Sequence, residues 1–233
     1  MKIIKMKILD LFSGTHSLER TNRKYNKKWT IVSVDLKDSD FNVDILKWDY
    51  AADFRPNQFD VVWASPPCRY FSALRRSNIG KKGFSMERIL REREEKGLPV
   101  LYKTLEIIDY LKPSWYFIEN PDSGAMKNYI SNRIYYTVDY CQYSNWGYRK
   151  RTRIWTNLIN FTPKLCVKSF CKNVILNTKT NKKIHRLRTD GGGKGQKGTT
   201  RLERYRVPEL LIKELMEACE YELIVEDVNK LFL

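Results

Sequence analysis

Long apolar runs are missing from this chain. No window of its 233 residues approaches a membrane span, and the amino end lacks the extended apolar segment of a secretory signal. Cysteine is scarce, five in all and without regular spacing. That excludes a disulfide scaffold and sets an expectation of reduced thiols in an intracellular setting, the cytoplasm or the nucleus. Internal repeats are absent as well, which removes solenoids and propellers. Acidic residues are outnumbered, 27 Asp+Glu against 43 Lys+Arg for a net charge of +16. The excess is uneven: positions 147–207 hold 17 Lys+Arg and 2 Asp+Glu, a local balance of +15. Charge gathered this way suits a polyanionic partner such as nucleic acid. The length predicts one domain with a substantial core and a small appendage.

Glycine is also scarce where it would matter most. Positions 6–11 read as an apolar strand that breaks at Gly14 and leads into a short helix, but Thr15, His16 and Ser17 follow where a dinucleotide fingerprint needs further glycines. A pyrophosphate cofactor such as NAD or FAD therefore fits poorly. Positions 31–35 form a second strand ending in Asp35, placed as a carboxylate that grips ribose hydroxyls at the edge of a parallel sheet. An adenosine-bearing cofactor without phosphates is expected, with Phe12 offering a ring to adenine and core packing as the alternative.

Against these absences stands one dense feature. Positions 59–64 form a short apolar strand that runs through Ser65 into Pro66 and Pro67 and then Cys68. Open α/β sheets bind ligands at the carboxyl ends of their strands, and two residues of fixed φ hold the following thiol rigidly there. Cys68 is a candidate nucleophile; alone, it reads as readily as a small buried hydrophobe. A later strand, 115–118, delivers Glu119 to the same edge. Positions 151–155 read as another strand, on which Arg151 and Arg153 share one side. Two such cations beside a thiol would lower its pKa and clamp a substrate oxygen or phosphate, while a solvated basic strand is the plain alternative. Tyr143, Trp146 and Tyr148 suit base stacking or packing, and Trp155 is assigned to packing. Helices are expected over 85–97 and 99–111, with a mobile, cationic loop over 69–83 where Ser72 and Arg75 contact substrate. A closing helix is expected over 205–216, with a proline in its first turn.

Taken in order, Asp10-Leu11-Phe12-Ser13-Gly14, Asp35, Asp44-Ile45, Ser65-Pro66-Pro67-Cys68, Ile118-Glu119-Asn120-Pro121 and Arg151-Thr152-Arg153 resemble the motif series of S-adenosylmethionine-dependent cytosine-5 DNA methyltransferases, particularly compact phage- or virus-type members. The resemblance implies an α/β, Rossmann-like class I methyltransferase fold, a mostly parallel sheet with helices on both faces and a small basic appendage. It implies a catalytic domain at 1–160, a short basic recognition segment at 161–200 and a closing helix within 201–233. Asp10, Phe12, Gly14, Asp35, Asp44, Ser65 and Pro67 would surround S-adenosylmethionine, although Asp44 also suits capping a turn. Cys68 would add to carbon 6 of cytosine, and Glu119 would hydrogen-bond ring nitrogen 3 and the exocyclic amine. Arg151 and Arg153 would clamp the substrate, with Ser72, Arg75, Asn120 and Arg149 around it and Asn120 bracing the Pro67–Cys68 loop.

The chain departs from the family at several points. Pro121 stands where many relatives have valine, and Arg149 stands where they have glutamine. The Gly-Asn-Ser-Val stretch of larger relatives is absent, and 161–200 is too short for a full recognition domain, so low sequence specificity, or specificity for a very short context, is expected. That segment contains Cys166, Cys171 and His185 without an evident fourth ligand, so no metal is expected, a zinc knuckle being the alternative. The glycine-rich run 190–198 is expected to be flexible and to order on nucleic acid. The tRNA-methylating branch of the family leaves RNA open as the substrate. A non-catalytic nucleic-acid binder is the remaining alternative, and it would need neither Cys68 nor Glu119.

Overall fold

The structure, a computed structural model, describes residues 5–81, 83–178, 180–193 and 196–230. In chain order the first half contains β1 (Lys7–Leu11), α1 (Ser17–Lys24), β2 (Thr30–Asp35), β3 (Phe41–Asn42), α2 (Tyr50–Asp53), β4 (Val61–Ala64), α3 (Met86–Glu92) and α4 (Leu98–Leu111). There follow β5 (Trp115–Pro121), β6 (Tyr135–Asp139), β7 (Arg151–Thr156), the hairpin β8 (Val174–Asn177) and β9 (Lys182–His185), the short pair β10 (Gly192–Gly193) and β11 (Gln196–Lys197), then α5 (Arg201–Tyr205) and α6 (Glu209–Lys230). Seven strands form one sheet in the order β3-β2-β1-β4-β5-β7-β6, parallel from β3 to β5, with β7 antiparallel to both its neighbours.

Period-two alternation divides the core between the two faces of this sheet. Ile8, Val61, Trp63, Trp115, Phe117 and Ile154 face Leu18 of α1 and Leu211, Ile212, Leu215 and Met216 of α6. Leu9, Leu11, Val62, Ala64, Ile118 and Trp155 face α4, through Leu101, Ile107, Ile108 and Leu111, and the aromatic group of Trp48, Tyr50 and Phe54. Each such fully buried side chain stabilises the fold by roughly 1.5–3 kcal/mol. Strands β1, β4 and β5 are therefore covered on both sides, which explains why their sequences read as continuous apolar runs. Tyr143, Tyr148 and Trp155 are buried, and Trp146 stacks on Tyr148 at 5.9 Å, so these rings pack rather than wait for bases.

Helices α3 and α4 are joined without a break by a π-helical turn, Arg93–Gly97. A Cβ at Gly97 would lie 2.9 Å from Tyr70 Cβ and 3.3 Å from the Phe71 ring, so only glycine admits the chain that follows Cys68 this closely. The loop expected over 69–83 carries two 3₁₀ turns, Cys68–Tyr70 and Ala73–Asn78, and Arg75 pairs with Glu92 of α3; Lys82 lies outside the described residues. In the run 190–198, β10 and β11 pair antiparallel, while Lys194 and Gly195 lie outside the described residues. The closing helix starts later and runs further than 205–216, because Arg201–Tyr205 forms a helix of its own, closed by a capping box between Thr200 and Glu203. No helix among the described residues is long and apolar enough to cross a membrane.

Candidate active site

Two cavities open at the carboxyl ends of the parallel strands and meet at Cys68. The first, about 530 Å³, is lined by Asp10, Phe12, Gly14, Asp35, Asp44, Ser65, Pro67, Cys68 and Glu119. The second, about 760 Å³, runs from Cys68 past Ser72, Arg75, Arg149 and Arg151 to Arg201 and Arg204. The thiol thus stands where one space ends and the other begins.

The first cavity is built from the turn after β1. Phe12 takes a left-handed φ of 62°, a costly conformation for an aromatic residue. It is held by Phe12 N–H donating to Val34 O at 2.8 Å. Gly14, also left-handed, donates its N–H to Asp35 Oδ2 at 2.9 Å, while Asp35 Oδ1 accepts from Leu36 N–H at 2.6 Å. Asp44 does both things its sequence allowed: it lines the cavity and accepts Leu46 N–H at 3.1 Å in a turn. Asp10 is buried, and that burial, with Glu19 and Asp35 nearby, raises its carboxyl well above the usual carboxylate range. Ser65 Oγ accepts Trp63 Nε1–H at 3.1 Å.

Glu119 leaves β5 on the α6 side of the sheet. Its Oε1 accepts Tyr140 Oη–H at 2.8 Å and Lys150 Nζ–H at 3.0 Å, and among the described residues no hydrogen bond falls on Oε2. Burial and the neighbouring Glu119 raise the Tyr140 phenol well above its ordinary value, so it donates rather than ionises. The adjacent Asn120 projects to the opposite side and donates from Nδ2 to Pro66 O at 3.1 Å, tying β5 to the turn before Cys68. Burial pushes the Cys68 thiol above its ordinary value; Lys150 and Arg204 pull it back, and Glu119 opposes them.

Two expectations about the cations are corrected by strand register. Glu119 pairs with Ile154 across β5 and β7, so Lys150, Thr152 and Ile154 share its side of the sheet, and Arg151 and Arg153 take the other. The cation at the carboxylate is therefore Lys150. Nor is the thiol pKa lowered by an arginine pair, because burial dominates and the cations acting on it are Lys150 and Arg204. Arg151 lines the second cavity and is held by Asp139, through Nε at 3.1 Å and Nη2 at 2.7 Å, with Arg149 near the same carboxylate at 3.7 Å. Arg153 is taken up by Asp122 at 2.8 Å and lies over the Tyr135 ring at 3.8 Å. Ser72 caps the 3₁₀ turn after it, accepting Leu74 N–H at 3.3 Å.

Sequence reasoning missed Lys150, Arg201, Arg204 and Tyr140. The Thr200-to-Glu203 capping box was a readable signal for the helix that presents Arg201 and Arg204. No sequence signal marked Lys150 over its basic neighbours. Cys166, Cys171 and His185 do come together, and Cys141, which the sequence did not single out, brings a fourth donor atom to the same group.

A three-layer α/β sheet in this strand order, with an acid-ended second strand and a crevice at its carboxyl edge, is the Rossmann-like fold of a class I methyltransferase. Comparison with known proteins narrows this. The chain is 54% identical over 215 residues, 92% of its length and 100% of the relative's, to the "Probable DNA (cytosine-5)-methyltransferase" of Frog virus 3 (isolate Goorha). It belongs to the DNA (cytosine-5)-methyltransferase family, and it is a methyltransferase. No family model matches. Among solved structures it is similar to the S. pombe Dnmt2 methyltransferase, at 14% identity and a TM-score of 0.41 over 73% of this chain and 55% of that one. It is also similar to the Entamoeba histolytica methyltransferase EhMeth, at 16% identity and a TM-score of 0.45 over 70% of this chain and 56% of that one. The chain thus spans little more than half the length of these two solved proteins.

Proposed function

We propose that the chain methylates carbon 5 of cytosine in DNA through a transient bond to Cys68, with S-adenosylmethionine as the methyl donor. The observation that carries this reading is the position of Cys68 at the meeting of two cavities of unlike character, with Glu119 on the wall beside it. The first cavity suits the donor. Its volume lies in the range of ligand sites, and Ser13 Oγ on its wall is buried with no hydrogen-bond partner among the described residues. Asp35 would hold the ribose hydroxyls, Phe12 and Ile45 the adenine, and Asp10 and Gly14 the amino-acid end. When bound, S-adenosylmethionine supplies an electrophilic methyl group.

Carbon 5 of cytosine is a poor nucleophile, and the side chains at the junction answer that. The Cys68 thiolate forms a bond to carbon 6, breaking the 5,6 double bond and sending its electron pair into the ring toward nitrogen 3. Glu119 holds that nitrogen and the exocyclic amine and places a proton where the charge develops. Carbon 5, now the nucleophilic end of an enamine, takes the methyl group, the donor being left as a neutral thioether, and nitrogen 3 gives its proton back to Glu119. Its proton then leaves to water, the sulfur–carbon bond breaks, and the double bond reforms with Cys68 released as thiolate. Lys150 stabilises the thiolate at both ends of this cycle and orients Glu119 through Oε1. A base reaches this thiol only when extruded from its stack, which suits the cationic second cavity as a seat for flanking phosphates. Residues 161–200 would serve as the recognition segment, with short sequence context.

The test is transfer of labelled methyl from S-adenosylmethionine to mixed-sequence DNA and RNA, with Cys68→Ala beside the wild type. Label on carbon 5 of cytosine in DNA, lost in the variant, is the expected result. Label in RNA alone would replace the substrate, and label that survives Cys68→Ala would overturn the covalent step.

A further inference from the structure

The segment after β7 has too little core to stand by itself. Val167, Ile175 and Leu176 are more than a third exposed and Phe170 is 90% exposed, so the β8–β9 hairpin buries little apolar surface. Small units of this kind need a covalent or metal staple. One is at hand, because Cys141, Cys166, Cys171 and His185 bring their ligand atoms within 4.8 Å of one another. Cys166 Sγ and Cys171 Sγ lie 3.4 and 3.6 Å from His185 Nε2. A tetrahedral zinc with its usual bond lengths sets sulfur and nitrogen ligands about 3.6 Å apart, so these two sulfur–nitrogen pairs already have the spacing of such a site and the fourth donor stands close by.

We propose that these four side chains bind one zinc ion as a closed Cys₃His site. Zinc binding turns three thiols into thiolates with release of three protons, leaving the imidazole neutral and all four positions filled by protein, the mark of a structural centre rather than a catalytic one. The surroundings are built for it. Gln142 Nε2 points at Cys171 Sγ (3.5 Å) and Cys141 Sγ (3.7 Å), where an amide donor steadies thiolate sulfur. Buried Asn173 donates from Nδ2 to Cys141 O and Ser144 O, both at 2.8 Å, fixing the Cys171 end of the hairpin against the turn that bears Cys141. Cys166 N–H donates to Asp139 Oδ2 at 2.8 Å, and Asp139 is the carboxylate that holds Arg151. The metal would therefore fasten the basic appendage to the edge of the catalytic sheet, beside the second cavity. It owes nothing to the proposed methyl transfer.

The test is metal content of the untagged full chain, purified without chelator, by plasma mass spectrometry. About one zinc ion per chain is expected, unchanged in Cys219→Ser, whose thiol is buried in the main core, and reduced at least about tenfold in Cys166→Ser and Cys171→Ser. Because those variants can fail to fold, the wild type is also stripped and refilled with cobalt, where the intense visible bands of tetrahedral thiolate-bound cobalt are expected. Gln142→Ala should retain the fold and weaken zinc by roughly 10-fold. A wild-type chain that holds no zinc after dialysis against it, a cobalt form without those bands, or a disulfide among the three cysteines as purified would each overturn the proposal.

Discussion

The two cavities that share Cys68 are made differently. Among the described residues lining the first, four carboxylates and four cations balance, and much of the wall is apolar. Along the second stand eight arginines and lysines against Glu92 and Asp122. The first is pinned by backbone: the turn after β1, the acid end of β2 and the stiff prolines after β4. The second borrows its cations from four places, the turn after Cys68, α3, the start of β7 and α5. A balanced, backbone-built cleft suits a defined small molecule, and a cationic trench assembled from separate elements suits a polyanion whose phosphates need charge more than fixed geometry.

The comparison breaks most sharply at the junction. Glu119→Gln should cost about 10²–10⁴-fold in kcat, the usual weight of a positioned proton-transfer group, with binding of donor and DNA both retained. Single-turnover transfer with saturating DNA measures it, and near-normal turnover would remove Glu119 from the reaction. Next in size, Asp35→Ala should weaken S-adenosylmethionine by roughly 10-fold or more through loss of charge-assisted hydrogen bonds. Calorimetry checks that, and DNA affinity should not move. An equal loss on both ligands would mean that the two cavities do not work separately.

Lys150 sharpens the contrast through pH. Cys68 sits above its ordinary pKa, and the thiolate is the reacting form, so kcat/KM should climb with pH and level off only above the usual thiol range. Removing a cation that pulls the thiol down raises it further. Lys150→Met should therefore shift the rising limb to higher pH and lower the rate at neutrality by something like 10-fold, the equivalent of about 1.4 kcal/mol. A parallel fall at every pH would instead assign Lys150 to orienting Glu119 alone.

How far the sequence could carry these distinctions depended on whether a feature was local. The strand ends, the double proline, the acid that ends β2 and the helix expected over 99–111 and found at Leu98–Leu111 are set by neighbours in the chain, and all were legible. The side of the sheet on which Arg151 lies relative to Glu119 depends on the register of β7 against β5, and a single residue of register exchanges the faces. Cys141 stands 25 positions before Cys166, on another element, and only the folded chain brings their thiols together. Arg201 and Arg204 fall between, since their capping box was plainly written but short of any sign that its helix would reach the crevice.

The finest test separates two arginines that the sequence treats alike. If the second cavity seats phosphates, each contacting cation adds about 0.9 to the slope of log affinity against log salt. Arg204→Gln and Arg151→Gln should each lower that slope by close to this amount, with a few-fold loss of DNA affinity at moderate salt and no change in donor binding. Arg153→Gln should leave the slope where it was, because its guanidinium is largely covered between Asp122 and the Tyr135 ring and does not line the second cavity, whereas Arg151, though paired with Asp139, does. Fluorescence anisotropy of a short duplex over a salt series reads all three. A slope change at Arg153 equal to that at Arg151 would mean that Asp122 releases its partner when DNA binds, and the division of labour along β7 would have to be redrawn.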